Sequence, residues 1–331
     1  MKLLVYEFVT GGGFLSWPAA PPPSGTLLAE GAAMLDALLC DLQPAHELVV
    51  LRDARLPTAS IPDVVTHVIE DEGQERRQLE RLAGEVDGVL LIAPELHDSL
   101  RMRAQWIVES GGTLFSPAPE FIAVAADKRR CCDRLANAGI ATPLSFDDLA
   151  LPTPADTGEA WISKPNDGCG SHDIHVLHSF HEARAAVSHG RRVERVVQGW
   201  PLSVGVLCGP AGNMALDPCE QHLNTSLGYV GGRVPLSRPE LAEVAQQAAL
   251  QAVAAIGETR GFVGVDLVVG RNATVVEVNP RLTTSYVGLS QWYDGRLGDA
   301  MLSVARGHSV SLRGEGSPIE FTATGLCTRL S

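Results

Sequence analysis

Short apolar runs alternate with stretches of helical period through the first third of the chain. Residues 2–9 (KLLVYEFV) read as a strand. The next segment, 26–42, places Leu27, Leu28, Met34, Leu35, Leu38 and Leu39 at helical spacing. HELVVL (46–51) and VVTHVIE (64–70) read as strands, and so does DGVLLIA (87–93), whose lack of a polar face suits the middle of a parallel sheet. QERRQLERLAGE (74–85) and ELHDSLRMRAQWIVES (95–110) read as helices, the second ended by Gly111 and Gly112. Strands alternating with helices predict an open α/β domain over residues 1–117.

The pattern changes after FSPAPEF. A helical stretch over 118–138 ends at Gly139, and LALPTPADTGE (149–159) reads as a linker or exposed loop. AWISKP, DIHVLH, RVVQ and LSVGVLCG follow as short strands, then a long helix over 238–257. GFVGVDLVVG (261–270) and ATVVEVNP (273–280) close the pattern as two further strands. This half predicts an α+β arrangement with a mainly antiparallel sheet, divided into 118–190 and 191–331. No internal repeat is present.

The last of these strands poses a problem. In VVEVNPRL, Glu277, Asn279 and Arg281 alternate with apolar residues, so they leave by one face. Three polar groups on a core face cost several kcal/mol unless something pairs with them. A two-residue turn at Arg271–Asn272 would pair Val269 with Thr274, Val268 with Val275, Leu267 with Val276 and Asp266 with Glu277. Two carboxylates then face each other across the ladder, and a divalent cation removes their repulsion. Hard oxygen donors favour Mg²⁺ or Mn²⁺, with Asn279 as a third ligand and Arg281 within reach of an anion beside the metal.

Two more segments carry charge and glycine. In WISKPNDGCGSHDIHVL a strand delivers Lys164, a loop holds Asp167, Gly168, Gly170 and Ser171, and a strand leaves. Backbone N–H groups of such a loop approach phosphate oxygens closely, although the order of lysine and glycines is not that of a P-loop. In ADKRRCC, Lys128 starts a helical segment.

Composition narrows the classes. The chain has 331 residues, 45% hydrophobic and 20% charged, with a formal net charge of −13. That balance argues against nucleic acid or an anionic membrane surface as partner. Glu7 interrupts the first apolar run, which makes it a poor signal peptide, and no stretch approaches transmembrane length. Seven cysteines (Cys40, Cys131, Cys132, Cys169, Cys208, Cys219 and Cys327) form no CxxC pair, so a reduced, cytoplasmic protein is expected.

Other features are set aside. Gly11–Gly13 follow a strand, but Ser16 stands where a dinucleotide fingerprint needs glycine. His172, His175, His178 and His181 cannot share a face across a strand and a helix start, and Ser179 with Glu182 reads as a capping box. Cys169 reads as a small loop residue. Glu7 and Glu30 admit two readings, orienting an amine or holding a loop by capping and hydrogen bonding.

Lys128, SKPNDGCGS, GVDLVV and EVNPR, in this order and spacing, resemble the ATP-grasp superfamily over residues 115–305. The resemblance implies an ATP-grasp fold behind an N-terminal open α/β (pre-ATP-grasp) domain, with ATP and Mg²⁺ or Mn²⁺ as cofactors. It implies that Lys128 and Lys164 contact phosphates beneath the loop 167–171, and that Asp266, Glu277 and Asn279 hold the metal. Glu194 would accept from the adenine amine, and the backbone at Val196 and Val197 would face the ring. Pro201 departs from the acidic residue often found there for the ribose hydroxyls. The implied chemistry activates a carboxylate as an acyl phosphate for attack by an amine, with Lys164 and Arg281 as catalytic groups.

LLVYEFVTGGG, LLAEGAAMLDALLCDL, YVGG and EVNPRLTTSYVGLS resemble the branch containing the tyramine–L-glutamate ligase of methanofuran biosynthesis and bacterial relatives in one-carbon metabolism. That branch implies a glutamate–aromatic amine ligase, with an acceptor pocket near Gly11–Gly13, Tyr229–Gly232 and Thr283–Tyr286. Small-molecule substrates and a homodimer are implied, with no interface located. A ligase for another acid and amine pair, of dipeptide or pterin-glutamate type, and a nucleotide-binding protein without chemistry remain alternatives. The presence of both lysines, the metal set and Arg281 favours the enzyme.

Overall fold

Alternation along the first strands sorts their side chains onto two faces, and each face has its own helices. The computed structural model describes residues 1–17, 20–57, 62–146, 160–166, 173–188 and 190–330. It begins with β1 (Lys2–Glu7), α1 (Gly25–Leu42), β2 (Glu47–Asp53), β3 (Val64–Ile69), α2 (Glu72–Ala83), β4 (Gly88–Ile92) and α3 (Ser99–Glu109). The four strands form a parallel sheet in the order β3-β2-β1-β4. Leu3, Val5, Leu48, Val50, Leu90 and Ile92 face α1, whereas Leu4, Tyr6, Val49, Leu51, Val89 and Leu91 face α2 and α3. Both faces are therefore covered, as the continuous apolar strands require.

The helix expected over 95–110 starts four residues late. His97 and Asp98 take left-handed φ values of 50° and 61°, and a short 3₁₀ turn over Leu96–Asp98 precedes α3. Glu95 is thereby left in a loop at the carboxyl edge of the sheet. Beneath α2 and α3 lies a buried ion pair absent from the sequence reading. Arg103 donates from Nε and Nη2 to Glu75 at 2.7 and 2.9 Å, and Tyr6 Oη donates to the same carboxylate. The guanidinium also stacks 4.5 Å from the Phe8 ring centroid.

Next come α4 (Pro119–Ala125) and α5 (Lys128–Asn137). A small antiparallel sheet then contains β5 (Ser145–Phe146), β6 (Trp161–Pro165), β7 (His175–Leu177) and β8 (Arg191–Arg195), ordered β5-β8-β6-β7. Helix α6 (Phe180–Ala185) covers one face through a cluster of Phe146, Trp161, Phe180, Ala183 and Val193. Ser179 caps α6 by accepting from Glu182 N (3.1 Å), and Glu182 reaches back to His178 N (2.8 Å). The cap is the one expected from the sequence. The strand expected at RVVQ instead ends at Arg195, leaving 196–199 as a connector.

The large antiparallel sheet contains β9 (Trp200–Cys208), β10 (Met214–Ala215), β11 (Cys219–Leu223), β12 (Tyr229–Val234), β13 (Gly261–Val269), β14 (Ala273–Asn279), β15 (Ile319–Thr322) and β16 (Cys327–Arg329). Its order is β14-β13-β9-β11-β12-β15-β16, with β10 beside β9. Helix α7 (Ala242–Ile256) packs Ala245, Ala249, Ala252, Val253 and Ile256 onto Val204, Val206, Val263, Val265 and Leu267. Small residues on that stripe let the helix approach the sheet closely. The opposite face of β13 carries Phe262, Gly264 and Asp266.

Helices α8 (Ser285–Trp292) and α9 (Leu297–Ala305) join the last sheet to the first through α1. Buried Asp41 of α1 fixes the joint. It accepts from Tyr286 Oη (2.7 Å), Ser290 Oγ (2.5 Å) and Gly298 N (3.1 Å). Asp41→Ala strands three buried donors and is expected to destabilise the chain by about 3 kcal/mol. A urea midpoint for that variant within error of wild type would contradict this account.

The parallel sheet and the sheets that follow realise the α/β and α+β classes expected from the sequence. Among the described residues, no helix is long and apolar enough to cross a membrane.

Candidate active site

A cleft of about 550 Å³ opens where the small sheet faces the large one. The carboxyl ends of β1 and β4 close it on the third side through Glu7, Val9, Ile92, Ala93 and Pro94. Such ends are where ligands of parallel α/β sheets sit. From the small sheet Ile162, Lys164 and Glu194 point in, on the face opposite Trp161 and Val193. From the large sheet Ser203, Gln221, Asp266, Glu277 and Asn279 point in.

The hairpin β13–β14 sets the polar floor. Asp266 pairs with Glu277, as the sequence reading expects, but by a different route. The loop has three residues rather than two, so Val269 pairs with Ala273, Val268 with Thr274 and Leu267 with Val275. A bulge beside Leu267 then absorbs one residue of β14 and restores the Asp266–Glu277 register. It also lets Val275 and Val278, three apart, both enter the core against α7, while Val276, Glu277 and Asn279 line the cleft.

These carboxylates are held differently. Asp266 accepts from Gln221 Nε2 (2.9 Å) and Asn279 Nδ2 (3.0 Å). Burial, with the neighbouring Glu277 charge, pushes its carboxyl up to about 6, against hydrogen bonds from Ser203 and Asn279. Burial would also push Glu277 up, but the Lys128 ammonium, then Lys164 and Arg281, hold it below the usual value. One carboxylate is thus fixed as an anion while its neighbour resists ionising. Such a pair suits a divalent cation, and two carboxylates with the Asn279 amide form an oxygen donor set of the kind Mg²⁺ takes.

This yields a pH prediction. Because the folded pKa of Asp266 lies above its ordinary 3.8, the metal-free fold is favoured at low pH and loses that contribution as pH rises through about 6. A cation competes with the proton, so the rise in Tm on adding Mg²⁺ should be larger at about pH 7.5 than at about pH 5. Thermal melts with and without Mg²⁺ check this. An equal rise at both pH values, or the same profile in Asp266→Asn, would refute it.

The two lysines enter from separate elements. Lys128 opens α5, and its Nζ lies 2.9 Å from Glu277. Asp127 caps that helix by accepting from Arg130 N (3.0 Å). Asn166, just beyond β6, accepts from Lys128 N (3.3 Å) and Arg129 N (3.0 Å), and donates to Asp127 Oδ1 (3.0 Å). Lys164 projects from β6, with Nζ 2.8 Å from Glu194. Glu194 is fully buried and also accepts from Arg192 Nε at 2.7 Å. Its carboxylate serves two cations, an arrangement no sequence motif signals.

Arg281 has a partner from the first sheet. Its Nε lies 3.0 Å from both oxygens of Glu95. Beyond it, Thr283, Thr284 and Ser285 at the start of α8 face the cleft. On the opposite side, 196–199 and Pro201 line the wall. Val196 N donates to Ala160 O (2.9 Å), and Val197 N has no backbone acceptor among the described residues. Asp167, Gly168, Cys169, Gly170, Ser171 and His172, with the linker 149–159, lie outside the described residues.

Of the expected acceptor pocket, Tyr229, Thr283, Thr284 and Ser285 line the cleft. Gly11–Gly13 do not, and Gly13 is needed instead for packing, since a Cβ there would lie 2.3 Å from the Phe8 ring. Tyr286 turns into the core towards Asp41. Glu95, Gln221 and Ser203 were invisible in the sequence because they come from strands and loops far along the chain.

Known proteins resemble both the chain's sequence and its fold. An ATP-grasp domain model matches residues 125–285, and a pre-ATP-grasp domain model matches residues 46–122. The chain thus carries an ATP-grasp domain behind a pre-ATP-grasp domain. Over 328 residues it is 26% identical to a tyramine–L-glutamate ligase of Methanocaldococcus fervens, spanning 97% of this chain and 99% of that protein. It is 24% identical to the tyramine–L-glutamate ligase of Methanocaldococcus jannaschii, spanning 87% and 84%. An ATP-grasp superfamily protein from Archaeoglobus fulgidus shares its fold with a TM-score of 0.75 at 22% identity, covering 97% of this chain and 92% of that one. The L-amino acid ligase of Bacillus licheniformis does so with a TM-score of 0.67 at 15% identity, covering 96% and 78%. With its pre-ATP-grasp domain, this ATP-grasp chain is an ATP-dependent ligase.

Proposed function

We propose that the chain joins the γ-carboxylate of L-glutamate to tyramine or a similar aromatic amine, using ATP and releasing ADP and phosphate. The observation that supports this most is the convergence of Lys128, Lys164, Asp266, Glu277, Asn279 and Arg281 on one cleft, in a chain similar to tyramine–L-glutamate ligases over nearly its whole length. The assignment fits a role in methanofuran biosynthesis or related one-carbon metabolism.

In this reading Asp266, Glu277 and Asn279 hold Mg²⁺ or Mn²⁺, which when bound neutralises charge on the transferring phosphoryl group. Lys128 and Lys164 bind the ATP phosphates and hold them in line with the acid. Glu277 and Glu194 keep those ammonium groups in place before the nucleotide arrives. The connector 196–199 meets the adenine, with the Val197 backbone towards the ring and Glu194 steering Lys164 beneath it.

Arg281 and the first turn of α8 bind the substrate carboxylate, since a helix N-terminus favours an anion. A carboxylate oxygen attacks the γ-phosphorus, the bond to the β–γ bridging oxygen breaks, and ADP leaves. The amine nitrogen, having lost its ammonium proton, attacks the acyl carbon, and phosphate departs with the C–O bond's electron pair. Arg281 stabilises the oxyanion of that second step, and Glu95 holds its guanidinium in position.

The test is direct. Purified protein with ATP, Mg²⁺ and glutamate should release ADP and phosphate when tyramine is added, with a product of glutamyl-amide mass. AMP and pyrophosphate would exclude the acyl phosphate route. ADP release with another acid and amine, and none with this pair, would keep the ligase and change its substrates.

A further inference from the structure

The two edges of the parallel sheet are finished differently. Beyond β4 the chain returns beside it, with Val89 N donating to Thr113 O and Phe115 N to Val89 O (both 2.8 Å). Strand β3 forms the other edge and pairs on one side only, with β2. Successive residues of a strand turn their backbone groups to opposite sides. Ile69 O accepts from Ala54 N (2.9 Å), so Val65, His67 and Ile69 face β2. Val64, Thr66 and Val68 turn their N–H and C=O groups outwards, and among the described residues no hydrogen bond reaches those groups.

Edge strands are normally guarded by lysine, proline, a bulge or a covering element. The β3 sequence, VVTHVI, has no lysine or proline, and its pairing with β2 has no bulge. Val65 is 56% exposed and Val68 51%, on opposite faces of the strand. Val64, on the Val68 face, packs against the core beneath α1.

This edge is complementary to itself. A second β3, turned about a two-fold axis through Thr66, runs antiparallel to the first. Thr66 then faces the partner's Thr66, and Val64 faces the partner's Val68, so every outward N–H and C=O of the strand gains a partner. Those pairs share one face, and on the other Val65 meets the partner's His67. No like charges oppose each other, and threonine and β-branched pairs stabilise such a ladder. Moving the axis to Val65 would set Val68 against the partner's Pro62, which has no N–H to give. Moving it to His67 would set Val64 against the partner's Glu70, beyond the end of the strand.

We propose that two copies of this chain associate through β3, joining their parallel sheets into one continuous sheet with Thr66 on the two-fold axis. No residue of β3 lines the cleft, so this interface does not depend on the ligase reading.

Sedimentation equilibrium of the full-length protein, from about 1 µM to about 500 µM, tests this. An interface built on one strand pair is small, so wild type should pass from monomer to dimer within that range. Thr66→Lys and Thr66→Glu each set like charges face to face on the axis and should weaken association by about tenfold. An equimolar mixture of the two sets lysine against glutamate and should return association to within about threefold of wild type. Thr66→Pro deletes an N–H that bonds nothing within one chain, and should weaken association by at least about tenfold without lowering Tm. A wild type that stays monomeric throughout overturns the proposal. So does a dimer that all three variants leave intact, which puts the interface elsewhere. A mixture that associates no better than either charged variant alone removes Thr66 from the axis and overturns it too.

Discussion

Glu277→Gln is expected to lower the rate of ADP release by about a hundredfold to a thousandfold at saturating substrates, while the chain stays folded. Two losses coincide in this variant. The carboxylate facing Asp266 is the anion of that pair, and replacing it with an amide removes a charged oxygen from the donor set proposed for the cation. The same change takes away the partner 2.9 Å from Lys128 Nζ, so the ammonium loses the group that aims it. A second readout separates these effects. Higher Mg²⁺ should recover part of the rate if weakened cation binding dominates, and none of it if the Lys128 position dominates. A rate within fivefold of wild type would remove Glu277 from the machinery.

Glu75→Ala is expected to destabilise the first domain by about 3–5 kcal/mol, the cost of leaving a buried guanidinium without its counter-ion. Arg103 and Glu75 are both fully buried, and Tyr6 Oη donates to the same carboxylate. Urea unfolding followed by the fluorescence of Trp17 and Trp106 measures it. Replacing both partners with apolar residues of similar volume, as in Glu75→Leu with Arg103→Met, should cost much less than the single change. If the single and double variants unfold at the same urea concentration, the ion pair is not what the fold depends on there.

The sequence revealed these two regions unequally. Asp266, Glu277, Asn279 and Arg281 were legible because a strand's two-residue period places polar groups on a face that should be apolar. The facing of Asp266 and Glu277 was inferred correctly from a turn one residue too short, since the bulge offsets the extra loop residue. Bulges have no strong single-residue signature, so that compensation was hidden. The Glu75–Arg103 pair was hidden for another reason. QERRQLERLAGE and the helix after it look like solvated charged surfaces, and only the tertiary fold turns one residue of each inwards. Glu95 was read as the start of a helix, and the left-handed turn at His97 and Asp98 instead freed it to meet Arg281. The partners of the lysines were likewise out of view, because Glu194 was read for adenine and its pairing with Lys164 depends on strand register.

Asn166 has a mechanical consequence. Helix α5 is anchored in the core beneath the large sheet through Cys131 and Leu135. Asn166 ties the exit of β6 to the first turn of that helix. The connector 196–199 attaches the exit of β8 to the large sheet at another point. A third tie runs from Val275 N to Ala141 O (2.9 Å), on the way from α5 into β5. Lys164 stands two residues before Asn166, and Lys128 opens the helix that Asn166 holds. One residue therefore couples the placement of both lysines.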